Sequence, residues 1–403
     1  MSSAGTSPMD EGALRTRLDI IQARAWVVAG VGLVVSFAGC LIWPGTFLPS
    51  YLVAYVFWVG VALGCLGLTM LHHLVGGSWG LVVRRPMEAG GMTLLPLGVL
   101  FLPLALGLWR LYPWARPEFA DDPALKIKVQ FLNPSFFLIR TALYFAIWIV
   151  FALLLKRLSA AQDQRSDHGP SQWLQRISGP GLALLFLAGS FAAIDWMMSL
   201  EPHWFSTIYG ALVCVSEALS TLAMMIAVVV LLSAEKPMAE AATQDRLHDL
   251  GNLMLAFTML WAYMSFAQYL IIWSGNLPEE IPWYLRRTRG GWQWVALALA
   301  LFHFFLPFFV LLFRESKRQS RLLIRVAFLV LGMHWLDLVW LIVPASSEPA
   351  SPRFPWAELP MSLVAMLGVG GICAAVFIEQ LKGSPLIPLN DPSLNAAIEH
   401  AGG

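Results

Sequence analysis

Ten ionisable residues sit within or at the ends of long apolar runs, and their types are those of proton carriers. Arg140, Asp195, Glu217, His303, His334 and Asp337 lie inside the runs; His72, His73, His248 and Asp249 lie at run ends. A charge at a bilayer centre costs roughly 2.5–3.5 kcal/mol on insertion scales, so each such residue must either be paired or have a use. Counting along the runs places Asp195, Asp337 and Arg140 toward one half of the membrane and Glu217, His303 and His334 near its middle. The remaining four fall at the opposite face. Read together, they form a ladder of protonatable groups from one side to the other.

Spacing groups several of them on single helix faces. His334 and Asp337 are i and i+3, and Ser216 with Ser220, and Glu217 with Thr221, are i and i+4. A carboxylate beside hydroxyls can hold water, and desolvation raises its pKa toward the working range of a proton relay. Three other readings use the same residues. Asp195 or Asp337 could neutralise Arg140 in a structural ion pair, in which removing one partner strands the other. His303 and His334, on consecutive helices at similar depth, also match an axial pair for a b-type haem. His72, His73 and His203, at helix ends or in a short loop, could serve only as interfacial or capping groups.

The elements that must position these groups are transmembrane helices. Of 403 residues, 58% are hydrophobic and 13% charged, and the mean hydropathy is +0.67, a profile outside the soluble globular range. Ten apolar segments have the roughly 20 residues needed to cross a hydrocarbon core, at about 25–43, 51–74, 92–111, 134–155, 180–200, 206–232, 248–273, 292–313, 322–343 and 359–381. Helix is the only secondary structure that satisfies the backbone of such isolated segments in lipid. The expected fold is an all-α integral membrane protein, with residues 1–24 and 382–403 as polar termini on either side of a ten-helix domain at 25–381. The first twenty residues lack the apolar core and cleavage site of a signal peptide.

Alternate loops differ in charge, and 17 of the 26 Lys and Arg fall on one side, among them Arg84, Arg85, Lys156, Arg157, Arg314 and Arg325. The positive-inside rule assigns that side, and both termini, to the cytoplasm. The connection at 159–170 reads as solvated and flexible. A net charge of +1 gives no basis for nucleic-acid binding. The four cysteines stand singly in apolar runs without CxxC or CxxCH, which argues against a cysteine-held cluster or attached haem on this chain. Only His334 and Asp337 approach a metal-ligand spacing, a weak signal.

Two long stretches carry a resemblance. AIDWMMSLEPHWFSTIYG at 193–210 and HDLGNLMLAFTMLWAYMSFAQYLIIWSGNLPEEIPWY at 248–284, followed by the aromatic helix with His303, resemble the polysulfide-reductase-like (NrfD-type) membrane subunits of alternative complex III. That complex is a bacterial quinol:electron-acceptor oxidoreductase, and the form of the two stretches resembles its F-type subunit. The resemblance implies two four-helix bundles, helices two to five and six to nine, flanked by the first and tenth. It implies no redox centre on this chain, with haem c and iron–sulfur clusters carried by partners: a multihaem cytochrome c, an iron–sulfur/molybdopterin-like subunit and a second NrfD-like membrane subunit. It further implies residence in the bacterial cytoplasmic membrane and a role in proton translocation, with quinol binding or plain anchoring of the peripheral subunits as alternatives. Asp195, Glu201, His203, His248, Asp249 and the segment Asn276 to Tyr284 rest on this match.

Overall fold

The computed structural model describes residues 8–119, 121–164, 169–346, 353–388 and 390. It contains ten helices long and apolar enough to cross a membrane, and no strand among the described residues. They are α1 (Leu14–Ile42), α2 (Gly45–Val75), α3 (Trp79–Leu106), α4 (Pro134–Gln164), α5 (Gly169–Leu200), α6 (Tyr209–Leu232), α7 (Gln244–Gly275), α8 (Trp292–Leu312), α9 (Ser320–Ser346) and α10 (Glu358–Lys382).

Helices α2 to α5 pack as one group and α6 to α9 as another, and α2 and α5 meet α6 between them. Helices α1 and α10 lie side by side and antiparallel along the outer flank of α2. Gln22 bonds to the Ala375 carbonyl at 3.1 Å and Lys382 to Asp19 at 2.7 Å. The start of α1 and the end of α10 therefore share one end of the molecule, here called the basic end. The opposite end is covered by the loops at 107–133 and 276–291, which carry the short helices Pro123–Lys128 and Ile281–Arg287, and is called the capped end.

The α1–α10 contact is made through backbone, because both helices present small residues. A Cβ on Gly32 would stand 2.6 Å from the Gly368 nitrogen, and one on Gly371 would stand 2.6 Å from the Ala29 nitrogen. Such small-residue faces let helices approach in lipid, where no hydrophobic drive pulls them together.

Helix α3 is broken where its prolines demand it. Pro96 and Pro103 donate no backbone hydrogen bond and crowd the carbonyls four residues earlier, and the helix turns at Met92–Thr93 and Leu100–Phe101. Tyrosines from α2 take two carbonyls exposed by the breaks: Tyr51 donates to Leu100 O at 2.7 Å and Tyr55 to Leu97 O at 3.0 Å.

Helix α3 also begins 13 residues earlier than hydropathy suggests. Arg84 and Arg85, expected in a basic loop, lie within it and are 1% and 3% exposed. Their burial is possible because Glu88, one turn on, and α4 neutralise them. Arg84 Nε and Arg85 Nη1 reach Glu88 at 2.9 Å each, and Arg85 Nη2 reaches Asp163 at 2.5 Å. Ser159 donates to Glu88 at 2.6 Å, and Gln162 accepts from Arg84 at 2.6 Å. Residues 159–164, expected in a solvated connection, are thus helical and part of a buried polar knot; 165–168 lie outside the described residues. Helix also extends back to Pro8, through much of the segment read as a polar terminus, whereas 391–403 fall outside the described residues.

Candidate functional site

A set of buried titratable groups lies between α6, α7, α8 and α9. Ser216 Oγ and His334 Nδ1 are 3.0 Å apart, and Ser216 also lies beside Asp337. The indole N–H of Trp261, from α7, donates to Asp337 Oδ2 at 3.3 Å. The same ring meets His303 edge-on, with centroids 4.3 Å apart. His303, His334 and Asp337 are 0%, 1% and 5% exposed. His334 Nε2 and both ring nitrogens of His303 have no hydrogen-bond partner among the described residues. Bare imidazole nitrogens beside a carboxylate and a hydroxyl make a short proton-conducting set, provided water or a second conformer bridges the gaps.

His303 stands on an unusual piece of backbone. Residues Leu299–Phe305 form a π-helix between two α-helical halves of α8. Pro307 accounts for it: with no N–H, it cannot bond the carbonyl four residues back, which belongs to His303, and the wider turn relieves the clash. The Leu306 N–H bonds to Leu301 O instead. Proline chemistry therefore sets where the imidazole projects.

Glu217 follows Ser216 on α6 and faces another neighbour. A Cβ on Gly60 of α2 would stand 2.8 Å from Glu217 Cγ, so the glycine makes room for the acid at the seam between the two helix groups. The carboxylate is partly buried and has no hydrogen-bond or ion-pair partner among the described residues. The hydroxyls expected to serve it bond backbone instead: Ser220 donates to Glu217 O at 2.9 Å and Thr221 to Val61 O at 3.1 Å.

Asp195 and Arg140 meet each other. Arg140 Nε and Nη2 bond the two Asp195 oxygens at 2.8 and 2.7 Å, and Tyr144 donates to Oδ2 at 2.8 Å. Arg140 also bonds the Phe131 carbonyl at 2.8 Å and stacks on that ring, 3.8 Å from its centroid. With both oxygens held by the guanidinium fork and a third bond from Tyr144, this carboxylate has the geometry of a structural ion pair.

The group at the basic end is assembled through one residue. Ser78, in the turn after α2, donates to Asp249 Oδ2 at 3.0 Å and so ties the start of α7 to the end of α2, where His72 and His73 lie. Gly76 and Gly77 make that turn with φ of 72° and 104°, which side-chain-bearing residues rarely adopt. Asn252 Nδ2 approaches His248 Nδ1 at 3.3 Å. The His72 ring lies against Gly80, where a Cβ would fall 2.0 Å from Nδ1.

The polar residues of the 193–210 stretch hold the capped end together. Glu201 accepts from Arg286 at 2.8 Å and Arg287 at 2.7 Å, and Arg287 also bonds the carbonyls of Trp340 at 3.0 Å and Leu341 at 2.8 Å. Burial pulls the Arg287 guanidinium below its ordinary range, and Glu201 opposes that pull. Trp204 stacks on Trp283 at 4.6 Å, and His203 reaches Asp122 at 2.7 Å. Glu201→Ala leaves the fully buried Arg287 without its carboxylate. The expected result is a destabilisation of about 3–5 kcal/mol, read as a large fall in thermal unfolding temperature in detergent, with Glu201→Gln losing less. Beside this clasp, an open crevice of about 1310 Å³ is lined by Trp109, Arg110, Arg116, Glu118, His203 and Arg286, among others.

Residues missed by sequence reasoning are Trp261 and the knot of Arg84, Arg85, Glu88 and Asp163. The i, i+4 spacing of Arg84 and Glu88 was the available signal for the knot; nothing local marks Trp261. No group of three or more His, Cys, Asp or Glu able to hold a metal occurs among the described residues. The four cysteines are free, Cys65 and Cys373 buried and Cys40 and Cys214 partly so.

These features define an all-helical, multi-pass membrane protein with buried titratable groups in both of its helix groups. No protein-family model matches the chain, and no curated protein matches it.

Proposed function

We propose that this chain is an F-type membrane subunit of alternative complex III, providing a proton path coupled to quinol oxidation in neighbouring subunits. Its place is the bacterial cytoplasmic membrane with the basic end and both termini in the cytoplasm. The observation that carries the path is the set of buried groups across α6, α8 and α9, Ser216, His334 and Asp337 with His303 held against Trp261, together with the partly buried, unpaired Glu217 at the seam to α2. An unpaired carboxylate in a membrane helix marks a functional site, because nothing structural offsets its cost. His72, His73, His248 and Asp249 form the cytoplasmic entrance. Asp195 and Arg140 brace the bundle wall rather than carry protons. The crevice at the capped end is where the multihaem cytochrome c and iron–sulfur subunits sit, on a surface that mixes aromatic rings with both signs of charge.

Two measurements test this. Purification through a tag on this chain should bring with it c-type haem, an iron–sulfur subunit and a second NrfD-like subunit, whereas a b-type haem spectrum from this chain alone would overturn the assignment. In the reconstituted complex, Glu217→Gln should lower the proton-to-electron ratio while leaving subunit composition and quinol oxidation in place. An unchanged ratio removes Glu217 from the path.

A further inference from the structure

The connection between α8 and α9 carries five basic residues and one acid between Phe313 and Arg325. Two of the bases have partners. Lys317 is buried and donates to Asn252 at 2.6 Å, and Arg318 pairs with Asp245 at 2.6 Å. Arg314, Arg321 and Arg325 are exposed and have no acidic partner among the described residues; the single acid, Glu315, is itself exposed and pairs with none of them.

Arg321 and Arg325 occupy one row of α9. The exposed positions of that helix before its last residue are 321, 325, 328 and 332, the i, i+4, i+7, i+11 stripe that faces away from its neighbours. Phe328, next on the row, is 55% exposed, as a lipid-facing ring should be. At 1.5 Å per residue the 27 residues of α9 span about 40 Å, longer than a hydrocarbon core of about 30 Å. The excess of about 10 Å is enough to set its first two turns, which carry Arg321 and Arg325, at headgroup depth, where the positive-inside rule favours such charges. Phe313, 67% exposed at the end of α8, supplies a second apolar surface immediately before Arg314.

We infer that the α8–α9 hairpin is a binding site for an anionic phospholipid, its phosphate held by Arg314, Arg321 and Arg325 and its acyl chains laid along Phe313 and Phe328. Charge complementarity selects the occupant. Three guanidiniums without an acidic partner match an anionic phosphate with hydrogen-bonding forks, and the exposed rings of Phe328, next on the Arg321–Arg325 row, and Phe313, beside Arg314 in the chain, match the acyl chains of the same molecule. Topology alone explains an excess of positive charge at this end but not its alignment with a lipid-facing stripe. This inference stands independently of the proton path.

The test uses the full-length protein in phosphatidylcholine nanodiscs doped with a photoactivatable phosphatidylglycerol, with adducts mapped by peptide mass spectrometry. Labelling of residues 309–328 should exceed that of other helix ends at the basic end by at least about threefold. A photoactivatable phosphatidylcholine should show no such enrichment. Arg321→Gln/Arg325→Gln should abolish the enrichment and Arg321→Lys/Arg325→Lys retain most of it. Equal labelling of all helix ends, or labelling unaffected by the glutamine pair, would overturn the site. Loss of labelling in excess inorganic phosphate would assign the arginines to a soluble anion and overturn the lipid. Should the glutamine variant fail to fold, the comparison of the two lipid probes on the parent protein decides.

Discussion

Arg140→Ala is expected to destabilise the protein by about 3–5 kcal/mol, because it leaves Asp195, 0% exposed, as an uncompensated charge between α4 and α5. Asp195→Ala should be comparably damaging, since it strands the guanidinium against Phe131 and Phe136. The double change Arg140→Met/Asp195→Leu should recover a large part of the loss. Removing both charges relieves the desolvation that each single change exposes, while the apolar replacements fill similar volume. With Arg140→Met and Asp195→Leu also made singly, the measurement is a double-mutant cycle of unfolding midpoints in detergent. Additive losses would show that the two residues act independently, in which case the ion pair is not what holds this wall. Tyr144 should be the smaller contributor, as the neutral donor of the three bonds to the carboxylate.

Gly371→Val should detach α1. The new Cβ would stand 2.6 Å from the Ala29 nitrogen, 2.7 Å from the Ala25 oxygen and 2.8 Å from the Ala29 Cα, and backbone atoms cannot step aside as a side-chain tip can. Helix α1 has little else to hold it. Only 22% of its most apolar window is buried, and α10 is its main neighbour. Cysteines placed at Gln22 and Glu379, whose side chains bond at 2.9 Å in the parent, would report the separation as a lost cross-link. Gly30→Val is the control. Nothing lies within 4 Å of its Cβ position, so cross-linking should persist.

Such contacts show where sequence reasoning reached and where it stopped. Number, type and order of the spans were legible because a lipid-length apolar run has one structural solution. Their ends at the basic side were not. Charges usually mark a loop, and Arg84 and Arg85 are buried only because Glu88 and Asp163 neutralise them, the second from 78 residues away. The titratable groups of the candidate site were all visible as charges in apolar runs. Their pairings were not, since Ser216 and His334 are 118 residues apart and Arg140 and Asp195 are 55 apart. The choice of Asp195 over Asp337 as the partner of Arg140 depends on which helices are neighbours, and helix adjacency is not written in hydropathy. That Pro307 would widen the turn carrying His303 was not legible either, because a proline in an apolar run does not say how the backbone around it yields.

Helix α2 has a further consequence, for the order in which the protein is made. It is the second span to leave the ribosome, yet 89% of its apolar window ends up enclosed, by α3, α5, α6, α9 and finally α10. Until α10 is synthesised, the Trp58 indole N–H lacks its acceptor, the Met366 carbonyl at 3.0 Å, whereas Ser50 can satisfy its hydroxyl within α2 on the Thr46 carbonyl at 2.7 Å. A nascent chain halted before its last helix thus presents an open indole N–H on its most central span.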